Sequence, residues 1–211
     1  TCDVSDRREV EEAARAVISH FGRIDTWVNN AGIGMWGRLD QSPEAEARRL
    51  FDVNFWGVVN GCLAALPHLR RQGGALITVG SEASDVFIPL QGIYTASKHA
   101  VKGYVDTLRV EIEDVDKAPV AITLIQPTAV DTPFPQHAWN ETDREPKLPS
   151  PMIEPRKVAE AILNAAETPT RDKMVGTMAH LNTTLAAIFP GLVDRLAAGK
   201  TSDLHHDEPP R

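Results

Sequence analysis

The chain of 211 residues is poor in the features that would place it quickly. It has two cysteines, Cys2 and Cys62, with no metal-ligand spacing between them and no disulfide framework, so reduced thiols in a cytoplasmic setting are expected. It lacks an excess of basic charge: 22 Lys and Arg stand against 29 Asp and Glu, for a net charge of −7, and the basic residues are scattered. That excludes a general nucleic-acid binder, which needs a basic stripe to neutralise phosphates. It also lacks a run of the roughly 20 apolar residues that span a bilayer, since Ala186–Phe189 is broken by Pro190-Gly191 and then by Asp194-Arg195. A serine-hydrolase nucleophile elbow is missing too, because Val79-Gly80-Ser81-Glu82-Ala83 has no second glycine after the serine.

What is present is a pair of side chains four positions apart. Tyr94 and Lys98, in Gly92-Ile93-Tyr94-Thr95-Ala96-Ser97-Lys98, share one face of any helix they occupy. A phenol titrates near pH ~10 in water and works as a proton donor and acceptor near neutrality only where a cation favours the phenolate. Bringing it to pH ~7 takes roughly 4 kcal/mol, at about 1.36 kcal/mol per pH unit, and Lys98 is the expected source.

The surroundings alternate between strand and helix patterns. Ile24–Asn29, Ala75–Ser81 and Val120–Gln126 are apolar, β-branched runs that read as buried strands. Helical stretches are expected from Ser5, Pro43, Ile93 and Pro155, the second opened by a Ser42 hydroxyl cap with Pro43 in the first turn and closed by Gly73-Gly74. This is the βαβ rhythm of an α/β fold with a parallel sheet, in one domain over residues 1–198, with a lid at about 127–153. His180–Ala198 is expected as an amphipathic helix pair, and residues 199–211 as a disordered tail in which His205-His206-Asp207 is a weak metal-site pattern.

Five features in order, Asp3-Val4, Asn29-Asn30-Ala31-Gly32, Asn54, Ser81 and Tyr94 with Lys98, resemble those of the short-chain dehydrogenase/reductase family, over Asp3 to about Gly176. The resemblance implies a Rossmann-like doubly wound sheet and an NAD- or NADP-dependent oxidoreductase. It implies a catalytic tetrad of Asn54, Ser81, Tyr94 and Lys98, with Tyr94 as general acid and base. Ser81, 13 positions before Tyr94, matches the family serine better than Ser84, which is 10 before it. Lys98 also meets the nicotinamide ribose, and the backbone carbonyl of Asn54 holds a water that continues the proton relay.

The same resemblance places Asn30, Ala31 and Gly32 beside the cofactor, Asp3 and Val4 at the adenine, and Pro127 and Thr132 near the nicotinamide. It further implies a homodimer or homotetramer. Thr128 stands where the family has glycine, and a β-branched residue restricts the backbone of that loop. Apolar and aromatic residues at Met35-Trp36, Val86–Gln91 and Pro133–Met152, including Phe134, His137 and Trp139, point to a hydrophobic alcohol or ketone as substrate, though a lid needs such residues for its own packing.

A dinucleotide fold opens with a strand and a glycine-rich turn whose backbone N–H groups receive the pyrophosphate. The chain instead starts at Thr1-Cys2-Asp3-Val4, which matches the end of the family's third strand. Three readings stay open: a fragment of a longer product, a partly disordered N-terminus left out, or a remnant that no longer binds dinucleotide; the alternative to the enzyme is such a non-catalytic remnant, a nucleotide sensor or a scaffold on the same fold. The first two strand-helix units are expected to be missing, leaving an apolar edge beside Ile24–Asn29. The choice between NAD and NADP, set by those units, stays undetermined.

Overall fold

The computed structural model describes residues 1–199 and Leu204. Four parallel strands form the main sheet: β1 (Thr26–Asn29), β3 (Gly74–Val79), β4 (Val120–Pro127) and β6 (Asp172–Val175), in the order β1-β3-β4-β6. Register runs Trp27 to Leu76, Leu76 to Ile122 and Ile125 to Lys173. A separate two-stranded parallel pair, β2 (Met35–Trp36) and β5 (Trp139–Asn140), lies outside this sheet.

Side chains alternate across a strand, and β3 uses both faces for packing. Leu76, with Ile122 and Leu124 of β4, enters a core built on three helices: α1 (Arg7–Phe21), α3 (Gly57–Gln72) and α4 (Gly92–Arg109). Ala75 and Ile77, with Ile125, enter a second core under α5 (Pro155–Glu167), whose Ala161 and Ala165 approach the sheet closely. Helices on both faces make the sheet doubly wound, the expected α/β Rossmann-like architecture.

Local chemistry explains the helix ends. The Asp6 carboxylate caps α1 by accepting the Arg8 N–H at 2.8 Å, and Gly22, at φ 82°, closes it with its N–H on the Ile18 carbonyl. The helix from Pro43 is α2 (Glu44–Phe51), a π-helical turn (Asp52–Trp56) and α3, stopped by Gly73 at φ 82° as expected. Its cap differs from expectation: Pro43 itself occupies the capping position, and the Ser42 hydroxyl instead donates to the Arg38 carbonyl at 3.0 Å. The stretch Glu44–Gln72 is the one described helix long and apolar enough to cross a bilayer, and its α3 part is a core helix with Cys62, Ala65 and Leu69 buried.

Strand β1 forms an edge of the sheet, and Val28 on it is 39% exposed. Two elements escaped the sequence reading: β6, four residues that include Asp172 and Lys173, and the β2–β5 pair. The C-terminal helices are α6 (Thr177–Ile188) and α7 (Pro190–Gly199). The expected disordered tail and His205-His206-Asp207 lie outside the described residues, apart from Gly199, which ends α7, and Leu204, whose carbonyl accepts the Lys147 N–H.

Gly61 on α3 faces β1, where a Cβ would fall 2.8 Å from Trp27 Nε1 and closer still to Asn29 Oδ1, so the helix rests directly on the strand's polar side chains. Gly61→Ala is expected to destabilise the protein by about 1–3 kcal/mol through overpacking, read as a lower urea midpoint at unchanged slope.

Candidate active site

Parallel strands all end on the same side, and a cleft of about 630 Å³ opens beyond the C-terminal ends of β3 and β4. Asn30, Gly32, Ser81, Tyr94, Lys98, Pro127 and Thr132 all line it, so residues spread over a hundred positions of sequence meet there. Ile88, Phe134, Leu148, Val158 and Ile162 make the opposite walls apolar.

Each polar residue is held by a specific device. Ser81 follows the end of β3 in extended conformation and caps a short 3-10 turn (Glu82–Ser84), its hydroxyl accepting the Ala83 N–H at 3.1 Å. The Tyr94 phenol lines the cleft beside it, and the Ser81 hydroxyl favours the ionised form of that phenol. Tyr94 and Lys98 lie one turn apart at the start of α4, with Lys98 Nζ 5.7 Å from the tyrosine ring centre. Lys98 is 5% exposed and donates to the Val79 carbonyl at 3.0 Å, which ties α4 to the end of β3.

Asn54 sits in the π-helical turn and is fully buried. Its Oδ1 accepts the Ile33 N–H at 2.8 Å, and its Nδ2 donates to the Ile33 carbonyl at 3.0 Å and to Ser97 Oγ at 3.2 Å. Ser97 in turn donates to the Tyr94 carbonyl at 2.7 Å. The side chain of Asn54 therefore staples the loop after β1 to the helix that carries Tyr94, a role the sequence reading, which looked to its backbone carbonyl, did not foresee. A Cβ at Gly32 would stand 3.4 Å from Asn54 Oδ1 and 3.9 Å from Lys98 Nζ, so this residue leaves the space beside the lysine open.

The electrostatics differ from the sequence expectation. Burial pushes the Tyr94 phenol up to about 12, the Ser81 hydroxyl opposes this, and the Glu82 carboxylate reinforces it. Burial also pulls Lys98 down to about 8. Lys98 does not bring the phenol toward neutrality here: its ammonium is directed to a carbonyl, and removal from water outweighs the mutual attraction of the pair.

The remaining expected residues divide. Val4, Asn30 and Ala31 line a second, smaller cavity of about 140 Å³ against Gly57 and Gly61, and a Cβ at Gly57 would lie 2.7 Å from Val4 Cγ2. Asp3 lines neither cavity. Its carboxylate is bound by the Ser5 N–H and hydroxyl at 3.0 and 2.8 Å and by Arg49 at 2.8 Å, which hold it below the usual carboxylate range. Thr132 lines the cleft with its hydroxyl 3.4 Å from the Val130 carbonyl.

Among the lid residues, Phe134 packs edge-on against Tyr94 at 5.7 Å and against Trp36 at 6.0 Å, and the segment is zipped to the loop after β1 by the Trp139 N–H on the Gly34 carbonyl. His137 is exposed and Trp139 is 45% exposed, and neither lines the cleft; Trp36 is fully buried and backs the lid. Sequence reasoning missed Glu82 and set Thr128 aside; both line the cleft, as do Ile88 and Gln91 of the expected Val86–Gln91 segment. An acidic residue following Ser81 between two buried segments, and a β-branched residue in place of a glycine, were the available signals.

Lys98 gives the site a measurable signature. With a folded value near 8 and an ordinary value of 10.5, the unfolded chain binds more protons between these limits, so this residue makes stability rise as pH increases from about 8 to about 10.5. Tyr94 and Cys62, both pushed up to about 12, act in the opposite sense from their ordinary values upward. Lys98→Met is expected to be the more stable protein at pH 7 and to lose that advantage as the pH approaches 10, measured as the difference between wild-type and variant urea unfolding at each pH.

Comparison with known proteins agrees with this fold. The model of the family described as short chain dehydrogenase matches residues 1–143. An uncharacterized oxidoreductase, YxnA, of Bacillus subtilis (strain 168) is 42% identical over 211 residues, 99% of this chain and 59% of the relative, so the chain spans about three-fifths of that protein's length. Among solved structures, an alcohol dehydrogenase from Thermococcus sibiricus complexed with 5-hydroxy-NADP is 30% identical with a TM-score of 0.69, covering 82% of this chain and 71% of that one. A short chain dehydrogenase from Burkholderia cenocepacia J2315 in complex with NADP is 25% identical with a TM-score of 0.77, covering 93% and 76%. With the sheet, the cleft and the family match in agreement, the chain belongs to the short-chain dehydrogenase family.

Proposed function

We propose that the protein is an NAD- or NADP-dependent oxidoreductase that interconverts a hydrophobic alcohol and its ketone or aldehyde, with Tyr94 as the proton donor and acceptor. The observation that carries this reading is that Ser81, Tyr94 and Lys98 line one apolar-walled cleft, with the buried Lys98 side chain one helical turn from Tyr94.

The residues present fit the nicotinamide half of a dinucleotide. Gly32 keeps the space before Lys98 and Asn54 free of a side chain, and Lys98, bonded once to Val79, retains donors for ribose hydroxyls. Asn30, Pro127 and Thr132 complete that wall, while Val4 and Ala31, at the smaller cavity, are assigned to the adenine side. Asp3, whose carboxylate is engaged by Ser5 and Arg49, rests on the family resemblance alone. The nicotinamide supplies or accepts the hydride.

The protein's own residues manage the proton and the oxygen. Ser81 donates to the substrate oxygen, an interaction that strengthens as negative charge builds there. Tyr94 Oη delivers a proton to the developing alkoxide in reduction and removes it in oxidation. Lys98, where it is charged, favours the phenolate, and Asn54 fixes the start of α4 through Ser97, so that Tyr94 and Lys98 keep their alignment. Phe134 and Ile88 exclude water from the reacting face. Exposed apolar side chains on the outer helix faces, Trp56, Leu63 and Val115, support self-association as a homodimer or homotetramer.

Tyr94→Phe removes the transferable proton and keeps the ring. It is expected to lower kcat by roughly 10²–10⁴-fold on an apolar secondary alcohol while nucleotide binding, followed by fluorescence titration, stays within a few-fold of wild type. Turnover equal to wild type would overturn the role given to Tyr94, and nucleotide binding by a wild type that turns over no alcohol or ketone would overturn the enzyme reading in favour of a non-catalytic nucleotide sensor or scaffold on the same fold.

A further inference from the structure

Glu82 is a carboxylate in the wall of the cleft, 6% exposed, next in sequence to Ser81. Leaving a carboxylate unpartnered in such a place is costly, and both oxygens are engaged. Oε1 accepts the Thr128 hydroxyl at 3.1 Å and Oε2 accepts Asn182 Nδ2 at 3.0 Å. Neither partner is charged, and burial raises the affinity of Glu82 for a proton while the two hydrogen bonds oppose it.

The partners come from different parts of the chain. Thr128 follows β4, and its N–H bonds the Val175 carbonyl at the end of β6 at 3.0 Å. A glycine at 128 would have no hydroxyl for Glu82. The threonine methyl occupies room left by Gly176, where a Cβ would come within 2.5 Å of Thr128 Cγ2 and where the backbone, at φ 104°, suits glycine. Gly176 caps α6, and Asn182 lies on α6. The threonine that departs from the family pattern is thus matched by a glycine and by an acid, and together they fasten one helix to the active-site wall.

We propose that Glu82 is a positioning residue of the active site: its carboxylate, held by Thr128 and Asn182, fastens α6 to the wall that carries Ser81 and sets a fixed negative charge beside Tyr94. This rests on the reading of Tyr94 as the proton donor and acceptor. The charged and titratable groups around Glu82 are few. Tyr94 and Lys98 face the cleft from α4, and Asp85, on the same turn as Glu82, is engaged by Gln126 and Lys102. The α5 residues lining the cleft, Val158, Ala159 and Ile162, are apolar, and α6 presents the neutral Asn182. The negative charge that acts on Tyr94 is that of Glu82.

The chain has two tyrosines, so a Tyr104→Phe background isolates Tyr94 spectroscopically. Tyrosinate absorbance is titrated in this background with and without Glu82→Gln, circular dichroism confirming the fold at each pH. Glutamine keeps an acceptor for Asn182 and offers an amide to Thr128, so only the charge is lost. The expected result is a midpoint lower by about one pH unit, a roughly tenfold larger ionisation constant. An unchanged midpoint overturns the proposal. The fastening is tested by hydrogen exchange: Asn182→Ala and Thr128→Val are expected to speed exchange of α6 amides several-fold, and Thr128→Ser to restore the protection that valine loses. Equal protection in all three overturns it, and these variants decide the matter should Glu82→Gln fail to fold. Neither readout requires turnover, so inactivity of the chain would count against the enzyme reading alone.

Discussion

Strand β3 is the constraint on which the site depends. It is paired on both edges and packed on both faces, which fixes the position of its last carbonyl, that of Val79. That carbonyl takes the Lys98 ammonium at 3.0 Å, and one helical turn away Tyr94 lines the cleft with Ser81, two residues past the same strand end. One rigid element therefore sets three functional groups: Ser81 through the chain, Lys98 through a hydrogen bond and Tyr94 through both. A site built on strand and helix ends holds its geometry better than one built on loops alone.

The same arrangement explains how much was legible in the sequence. The buried strands β3 and β4 are continuous apolar runs, and the Tyr94–Lys98 spacing is a helical one, so both could be read directly and fell where expected. The three-dimensional partners of Asn54 could not be read, because Ile33 and Ser97 lie 21 and 43 positions away and a polar residue in a helix carries no sign of what it will meet. Strand β6 was invisible for another reason: it is four residues long, and Asp172 and Lys173 give it no apolar alternation, its pairing with β4 being a tertiary gain. The helix cap at Ser42 failed because the hydroxyl found the Arg38 carbonyl, a local competitor that turn residues commonly use.

Thr128 and Glu82 show how a departure from a family pattern becomes interpretable only in three dimensions. Taken alone, a threonine for a glycine restricts the backbone. In the fold its N–H still completes a bond to β6, its methyl fills the space that Gly176 leaves, and its hydroxyl satisfies a buried acid. Changing one of these residues without the others would leave a void, a clash or an unpartnered carboxylate, so the three are energetically one unit.

Burial also decides what the cleft favours as a partner. Removal from water lowers the Lys98 value to about 8 and raises that of Tyr94 to about 12, so near neutrality the site holds an uncharged phenol beside an ammonium that gives up its proton more readily than an exposed lysine. A ligand that brings hydroxyl acceptors or negative charge to Lys98 strengthens its hold on the proton, and by linkage its binding draws a proton onto the lysine near pH 8. Charge held on the lysine above that pH then lowers the cost of the phenolate one turn away. The cationic partner that the sequence assigned to Tyr94 is thus not a fixed property of the folded chain: its strength depends on what occupies the cleft, which couples the proton chemistry of Tyr94 to binding at Lys98.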